Sequence, residues 1–378
     1  MMEAIYRSAL AYLLLSSLLL IVGCSDGGSA PNAEVIFLDP NPEITGDFNR
    51  PAGIYLLGVR NSTNEIRDYP FVDGYVYRTG WGMLETAKDI YDFSSLDEFI
   101  EALDTIEQKL TLVVFSQRVP DYLLADDSVM VYETPNQNGT GDFYLTAVPW
   151  DETALARYKI FMGKLGDYEV MSLESGTKVA LRDHPVISII GVQIMGLGGL
   201  RDPLVLISAQ QSYTREKFTD ASLESLQIAV DEFHNKFIHM AFFGISDGDD
   251  NPELDGHVVA NINERFNSGL QPKVGVFAEN LACDTPGTGG NDYLFSMQDT
   301  TFTMFQMLQA WQDPFKNAER TDICNSATNG PDIAMEYGFN NFNARYFEVY
   351  PVDIDFEGYW DALQGWHDFL EGTSVLNE

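Results

Sequence analysis

From about residue 50 onward, short runs rich in β-branched and aromatic residues alternate with longer runs whose apolar residues recur at helical spacing. Runs of the first kind predict β-strands, and runs of the second kind predict amphipathic α-helices. Such an alternation is typical of βαβ units, in which helices cover a parallel sheet. The eight predicted strands are Ile54–Val59, Gly74–Arg78, Leu110–Phe115, Val186–Ile194, Phe237–Ile245, Lys273–Glu279, Phe302–Leu308 and Arg345–Ile354.

Two of these strands bear on the architecture. The fourth is apolar along most of its length, as expected when protein covers both faces of a sheet. The seventh, Phe302–Leu308, fits a strand or a helix, and we assign a strand because the alternation otherwise breaks there. Eight strands with intervening helices predict an α/β fold, a single (β/α)8 TIM barrel over residues 51–378. The predicted helices are Leu96–Ile106, Thr153–Leu165, Thr219–Phe233, Leu254–Phe266, Ile333–Phe339 and Tyr359–Leu370.

The charge of the chain excludes several classes of partner. Its 378 residues include 57 Asp and Glu against 22 Lys and Arg, a formal net charge of −35. Nucleic-acid binding requires clustered cations that contact phosphates, so we predict no nucleic-acid partner. Docking of a basic surface on anionic lipid is disfavoured for the same reason. The excess of acids is interpreted as a solvated acidic surface.

The N-terminus has the pattern of an export signal. Arg7 precedes an apolar run of 14 residues, Ala9–Val22, which is short for a membrane span. The run ends in Leu20-Ile21-Val22-Gly23-Cys24, which resembles the bacterial lipobox. The resemblance implies a signal peptide over residues 1–23, a lipidated Cys24 and a flexible tether over residues 24–50. The alternative is a cleaved secretory peptide with an incidental cysteine.

The lipobox resemblance also implies a location. Several acyl chains on Cys24 would anchor the protein stably to a membrane of the bacterial cell envelope. Ser25 follows Cys24, and by the usual sorting pattern of such lipoproteins this residue implies the outer membrane.

Two further cysteines, Cys283 and Cys324, remain in the body of the chain. In an exported protein two such thiols commonly pair, so we predict a disulfide between them. The alternative is two free thiols. Neither cysteine belongs to a Cys-x-x-Cys motif, so zinc binding and thioredoxin-like chemistry are not indicated.

The second predicted strand carries a family resemblance. The stretches Val72–Glu85 and Tyr91–Asp97 resemble glycoside hydrolase clan A, especially the β-galactosidase-like barrels of families 42 and 5. The resemblance covers roughly residues 50–370 and implies that Arg78 and Trp81 lie at the substrate site. Further pieces that resemble a bacterial branch of such barrels are Pro149-Trp150-Asp151, His184-Pro185-Val186, Phe305–Leu308 and Tyr346–Pro351.

The chain departs from this family at the catalytic positions. Clan A enzymes have an Asn-Glu pair after strand four and a glutamate at the end of strand seven. Here the segment Gln193–Asp202 contains no glutamate, and the seventh predicted strand offers Gln306. The catalytic pair of the family therefore does not carry over to this sequence.

Other carboxylates follow the predicted strands. The active site of such a barrel lies at the carboxyl ends of the strands, where Glu279, Glu348 and Asp202 are expected. Glycosidases use two carboxyl groups, about 5.5 Å apart with a nucleophile or about 6.5–9.5 Å apart with an activated water. We predict Glu279 and Glu348 as the catalytic pair. The alternative is that they are buried acids bonded to Arg78 or Arg345.

Aromatic and amide side chains near the strand ends complete the predicted site. Aromatic rings can stack on the apolar faces of sugars, and amides can hydrogen-bond their hydroxyl groups. Core packing and satisfied core polarity are the corresponding alternatives. The predicted substrate-binding residues are Arg78, Trp81, Trp150, Gln193, Asp202, Gln306 and Tyr350.

Metal and cofactor motifs are weak in this sequence. The acidic loop Asp247–Asp255 resembles a calcium loop, but Val258 stands where the bidentate acid belongs. No histidine pair has metalloprotease spacing, and neither a Walker motif nor Gly-x-Ser-x-Gly occurs. We therefore predict neither a metal nor a cofactor.

These observations lead to two main functional hypotheses. The first is a lipid-anchored barrel that hydrolyses O-glycosyl bonds, and the second is a non-catalytic lipoprotein that binds glycans or acts as a scaffold. A calcium-dependent adhesion protein is a third hypothesis, which follows from the acidic loop alone. The expected partners are a carbohydrate and a membrane, whereas the oligomeric state is not predicted.

Overall fold

The computed structural model describes residues 50–135, 143–197, 212–241, 254–268, 273–286, 294, 300–313, 315–316, 318–320, 323–324 and 330–375. All of them belong to one compact unit, Pro42–Glu378. Several predictions lie outside the described residues: the signal peptide, Cys24 and the tether, the calcium-like segment 247–253, and Asp202. The predicted boundaries between signal, tether and barrel therefore remain predictions.

Eight parallel strands close into a barrel, which confirms the predicted fold class. Each strand pairs with its neighbours in the sequence, and β1 pairs with β8 to close the ring, with Gly53 opposite Tyr346. The segment Phe302–Leu308, whose sequence fitted either a strand or a helix, contains the seventh strand of the barrel. The barrel strands are β1 (Gly53–Leu57), β2 (Gly74–Gly80), β3 (Lys109–Phe115), β4 (Ile187–Val192), β5 (Phe237–Ala241), β6 (Val274–Leu281), β7 (Thr303–Met307) and β8 (Tyr346–Val349).

All six predicted helices are present, and two of them begin at side-chain caps. Asp151 accepts a hydrogen bond from the backbone N–H of Ala154 at 2.8 Å, and Thr214 accepts one from that of Lys217 at 3.2 Å. Such caps satisfy backbone donors that have no partner inside the helix. The helices are α1 (Ser94–Thr105), α2 (Glu152–Asp167), α3 (Arg215–Glu232), α4 (Leu254–Phe266), α5 (Pro331–Phe342) and α6 (Trp360–Val375).

The barrel separates two apolar cores. The larger core includes the outward-facing strand residues and the inner faces of the helices. The smaller core fills the barrel interior, as expected for a barrel of eight strands. Its buried members are Tyr55, Val76, Val113, Ile189, Phe277, Phe302, Met304 and Tyr346.

The prediction for the last strand was partly wrong. The strand was expected to run from Arg345 to Ile354, but β8 ends at Val349 and a short helix, Pro351–Ile354, follows. Proline lacks a backbone N–H and suits the first turn of a helix, so Pro351 ends the strand and starts the helix.

The sequence analysis also missed four short antiparallel ribbons. Three of them follow carboxyl ends of barrel strands, and the fourth lies between α2 and β4. Short ribbons bury little apolar surface and produce little sequence periodicity. Their paired strands are Glu85–Ala87 with Ile90–Tyr91, Val131–Pro135 with Phe143–Ala147, Glu169–Ser172 with Thr177–Ala180, and Gln312–Asp313 with Ala318–Glu319.

The predicted disulfide is present. Cys283, which follows β6, is bonded to Cys324, which follows the ribbon after β7, and their Cα atoms are 5.8 Å apart. The bridge therefore joins the connections that follow two neighbouring strands. Within the described residues, no helix has the length and apolarity that a membrane crossing requires.

Candidate functional site at the carboxyl end of the barrel

Arg78 joins side chains from three other strands at the carboxyl end of the barrel. Its Nη2 atom donates to Oε2 of Glu348 at 2.7 Å and to Oε1 of Gln306 at 2.5 Å. Its Nη1 atom lies 3.8 Å from Oε1 of Glu279. Strands β2, β6, β7 and β8 thus bring both predicted catalytic acids, one predicted amide and the predicted arginine into one cluster.

Glu348 is the buried member of this cluster. Its side chain has no exposed surface, and both carboxyl oxygens have partners, because Tyr346 donates to Oε1 at 3.2 Å. Burial raises the pKa of Glu348 to about 7, and the charge of Glu279 adds to the rise, while Arg78 opposes it. This carboxyl therefore keeps its proton to a higher pH than an ordinary glutamate does.

Glu279 is the accessible member. Its side chain is 12% exposed and, together with Arg78, lines a small cleft of about 10 Å³, which has room for about one water molecule. The two carboxyl groups thus have different environments around one guanidinium. The other side chains that line the cleft are those of Val113, Phe115, Val192, Gln193, His239, Ala241 and Phe277.

Two buried polar side chains of the cleft have atoms without a partner. Gln193 is 4% exposed, and its Oε1 atom accepts no hydrogen bond. His239 is 2% exposed, and neither of its ring nitrogens has a hydrogen-bond partner. Burial lowers the pKa of His239 to about 3, so its ring is neutral and offers one donor and one acceptor. Unpaired buried polar groups are costly, and a water molecule or a ligand hydroxyl group in this space would satisfy them.

The sequence analysis did not assign His239 to the site. The residue stands within an apolar strand, and no second histidine or cysteine has ligand spacing to it. One signal was present on the neighbouring strand: Gly191 lies opposite His239 in the pairing of β4 with β5. A Cβ atom at Gly191 would collide with the His239 ring, so the glycine makes room for the imidazole inside the barrel.

Two of the three predicted aromatic platforms are not brought into the cluster. Trp81 is completely buried, donates to Glu85 at 2.8 Å and packs on Tyr158, so no ring face is left for a sugar. Trp150 is 9% exposed and donates to Ser212 at 3.0 Å. The short connection after β2 turns Trp81 towards α2 rather than towards the cleft.

Tyr350, in contrast, joins the cluster. Its Oη atom accepts a hydrogen bond from Nε2 of Gln306 at 3.2 Å, and burial raises its pKa. Gln306 is thereby held between Arg78 and Tyr350, with its amide orientation determined by both partners.

A possible group of metal ligands lies away from this cluster. Among the described residues, Asp73, His367 and Glu371 bring three potential ligand atoms close together. His367 lies 3.1 Å from Asp73 through Nδ1 and 3.6 Å from Glu371 through Nε2. Asp73 immediately precedes β2, so this group belongs to the amino end of the barrel. The two acids contact opposite nitrogens of one ring, which fits an ion pair with a protonated histidine.

Comparisons with known proteins find likeness in structure only. No protein-family model and no curated protein sequence matches the chain. Among solved structures, a β-galactosidase from Bacillus circulans sp. alkalophilus is 14% identical, with a TM-score of 0.47 over 81% of this chain and 51% of that one. A GH10 endoxylanase from a sugarcane soil metagenome is 12% identical, with a TM-score of 0.43 over 81% and 85% of the two chains. A β-glucanase from Saccharophagus degradans is 9% identical, with a TM-score of 0.43 over 85% and 88%.

These solved structures are carbohydrate-active glycoside hydrolases by description. The chain spans only 51% to 60% of the length of the three β-galactosidases it matches. The assignment of the barrel rests on the strand pairing of this chain itself.

Proposed function

We propose that this protein binds an uncharged carbohydrate at the carboxyl end of its barrel, with one hydroxyl group of a sugar entering the cleft. The observation that carries the proposal is the set of buried, unpaired polar atoms of Gln193 and His239 beside Arg78 and Glu279. They offer both donors and acceptors within a small space, and a sugar hydroxyl can both donate and accept. Phe115, which is half-buried at the edge of the cleft, provides an apolar surface that suits the C–H face of a sugar ring.

The charge of the cluster also favours an uncharged ligand. Arg78 is already neutralised by Glu348 and Glu279, so it offers little net attraction to a phosphate or a carboxylate. A cationic ligand would have to displace the guanidinium from its acids. A sugar hydroxyl group can hydrogen-bond to Gln193 and His239 without separating Arg78 from its two acids.

Hydrolysis of a glycosidic bond is the second candidate function. One observation favours it: two carboxyl groups flank one cation in different environments, and the buried one has a pKa near neutrality. Glycosidases use two carboxyl groups, and the one that acts as general acid has a raised pKa. Against it, Glu348 has no exposed surface and both its oxygens are bonded, so reaction at Glu348 requires movement of Arg78 or Tyr346.

The variant Glu279→Gln separates these two candidates. If the site only binds sugars, affinity is expected to fall about 10- to 100-fold, because a charged hydrogen-bond acceptor is lost. If the site is hydrolytic, turnover is expected to fall at least about 100-fold, with a smaller effect on binding. Both would be measured by calorimetry and product analysis on mono- and oligosaccharides of glucose, galactose, xylose and mannose. Glu101→Gln, at an exposed position of α1, is the matched control.

Unchanged affinity and unchanged turnover in Glu279→Gln would show that the cleft is not the carbohydrate site. Wild-type binding without turnover would assign the protein to the non-catalytic class.

We further propose that the chain is a lipoprotein of the bacterial cell envelope, anchored through Cys24 and directed to the outer membrane. The sequence around Cys24 supports this proposal. Labelling of the full chain with a radioactive fatty acid, expressed in a bacterial host, is expected to be abolished in Cys24→Ser. Label retained in that variant would contradict the anchor.

A further inference from the structure

We infer that Asp73, His367 and Glu371 form a site for one divalent transition-metal ion, and that Zn²⁺ is the ion that this ligand set fits best. The ion joins helix α6 to the segment before β2, at the end of the barrel opposite the carbohydrate cleft. The inference is independent of the proposed function. It is carried by the positions of the ligand atoms, by the way Asp73 is held, and by the local charge.

The ligand atoms converge from two parts of the chain. His367 and Glu371 are four residues apart on α6, so they share one face of that helix. Asp73 immediately precedes β2. Three potential ligand atoms, one from each residue, lie within 4.8 Å of one another. Zinc binds nitrogen and carboxylate oxygen at about 2.0–2.2 Å, which separates two ligands of a tetrahedral site by about 3.4 Å.

The separation of Asp73 and His367 is close to this spacing. The Oδ1 atom of Asp73 lies 3.1 Å from Nδ1 of His367. Nδ1 is buried and has no hydrogen-bond partner, so this short contact is not aligned as a hydrogen bond. A metal ion beside Nδ1 gives the atom the partner that it lacks. Glu371 lies 3.6 Å from the other ring nitrogen, and its exposed carboxylate completes the site by turning towards Nδ1.

Asp73 is held in place as a ligand. Its Oδ2 atom accepts a hydrogen bond from the backbone N–H of Ile54 at 2.7 Å, while Oδ1 is the atom that contacts His367. Gly53 has a φ of +119°, and a Cβ atom there would lie only 2.7 Å from the Asp73 carboxylate. The glycine thus provides room for this side chain. A ligand that is fixed before binding loses little conformational entropy when the metal ion arrives.

The charge around His367 favours a divalent cation. Asp368 adds a third carboxylate to those of Asp73 and Glu371. A proton on the imidazole neutralises one of these three negative charges, whereas a divalent ion neutralises two and leaves the ring neutral as a ligand. The metal ion and the proton of the ion pair are therefore alternatives at this ring. Imidazole together with carboxylates suits zinc better than calcium, which takes oxygen ligands.

The test is a calorimetric titration of the purified full chain with ZnCl₂, after removal of metal ions with EDTA and dialysis. We expect His367→Ala to weaken zinc binding at least about 100-fold and Glu371→Gln to weaken it about 10-fold. Calcium should bind the wild type at least about 10-fold more weakly than zinc. His234→Ala removes an exposed histidine just before β5. It is the matched control and should bind zinc like the wild type.

Thermal unfolding provides a second readout. At a zinc concentration about 100-fold above Kd, we expect the Tm of the wild type to rise by about 4 °C and that of His367→Ala to stay unchanged. If His367→Ala fails to fold, Glu371→Gln still decides the question, because Glu371 is exposed and its replacement leaves the core intact.

Three results would overturn the inference. Zinc binding that is equally tight in the wild type, His367→Ala and Glu371→Gln would place the metal ion elsewhere on the chain. The absence of saturable zinc binding to the wild type would leave only an ion pair at His367. Calcium binding as tight as zinc binding would show that the imidazole is not a ligand.

Discussion

Replacing Glu85 by alanine is expected to lower the free energy of unfolding by about 3–5 kcal/mol, the cost typical of breaking a buried ion pair. Glu85 has no exposed surface and pairs with Arg157 at 2.6 Å. It also accepts hydrogen bonds from Trp81 at 2.8 Å and Tyr122 at 2.9 Å. One carboxylate thus joins the connection after β2, the connection after β3 and helix α2.

The alanine variant leaves Arg157, Trp81 and Tyr122 without their common acceptor. Glu85→Gln keeps the shape but removes the charge, so we expect a loss between that of alanine and zero. Glu98→Ala, at an exposed position of α1, is the matched control and should change stability by less than about 0.5 kcal/mol. Urea denaturation at pH 7 measures all three, and a loss below about 1 kcal/mol for Glu85→Ala would contradict this account.

Replacing Arg78 by leucine is expected to destabilise the barrel in a pH-dependent way. Folding raises the pKa of Glu348 to about 7, so the folded state holds the proton more tightly than the unfolded state. Stability therefore falls as the pH rises from the ordinary range of a glutamate through about 7. Arg78 limits that fall, because its charge lowers the pKa of Glu348.

Without the guanidinium of Arg78, the carboxyl group of Glu348 must either stay protonated or be charged without a neighbouring cation. At pH 8.5 we expect Arg78→Leu to cost about 3–5 kcal/mol. At pH 5 Glu348 is protonated in either protein, and the cost should fall to about 1 kcal/mol for the lost hydrogen bonds. The measurement is urea denaturation of both proteins at the two pH values.

Arg60→Leu removes the same charge from an exposed position and is the control for Arg78→Leu. If Arg78→Leu lowers the free energy of unfolding equally at the two pH values, the protonation of Glu348 does not depend on Arg78. The same variant should also abolish sugar binding, because Arg78 lines the cleft and orients Gln306.

The individual predicted side chains differ in how well the sequence located them. Glu279, Glu348, Gln193 and Gln306 were expected at strand ends, and the structure brings them to one end of the barrel. Trp81 was expected there too, but a tryptophan at the end of a strand can turn towards solvent or towards a helix. The hydrogen bond from Trp81 to Glu85, four residues later, holds the indole ring towards α2. Glu85 in turn pairs with Arg157 of α2.

The sequence by itself determined the number, order and kind of the barrel strands, because hydrophobic periodicity is a local property of the chain. It also indicated the disulfide, since two cysteines in a chain with the pattern of an export signal are expected to pair. Only the tertiary structure decided which polar groups meet. Arg78 and Glu348 are separated by 270 positions, and they touch because closure of the barrel places β2 and β8 on either side of β1. For the same reason His239 remained one histidine among five until the barrel placed its unpaired ring beside Gln193 and Glu279 in a cleft.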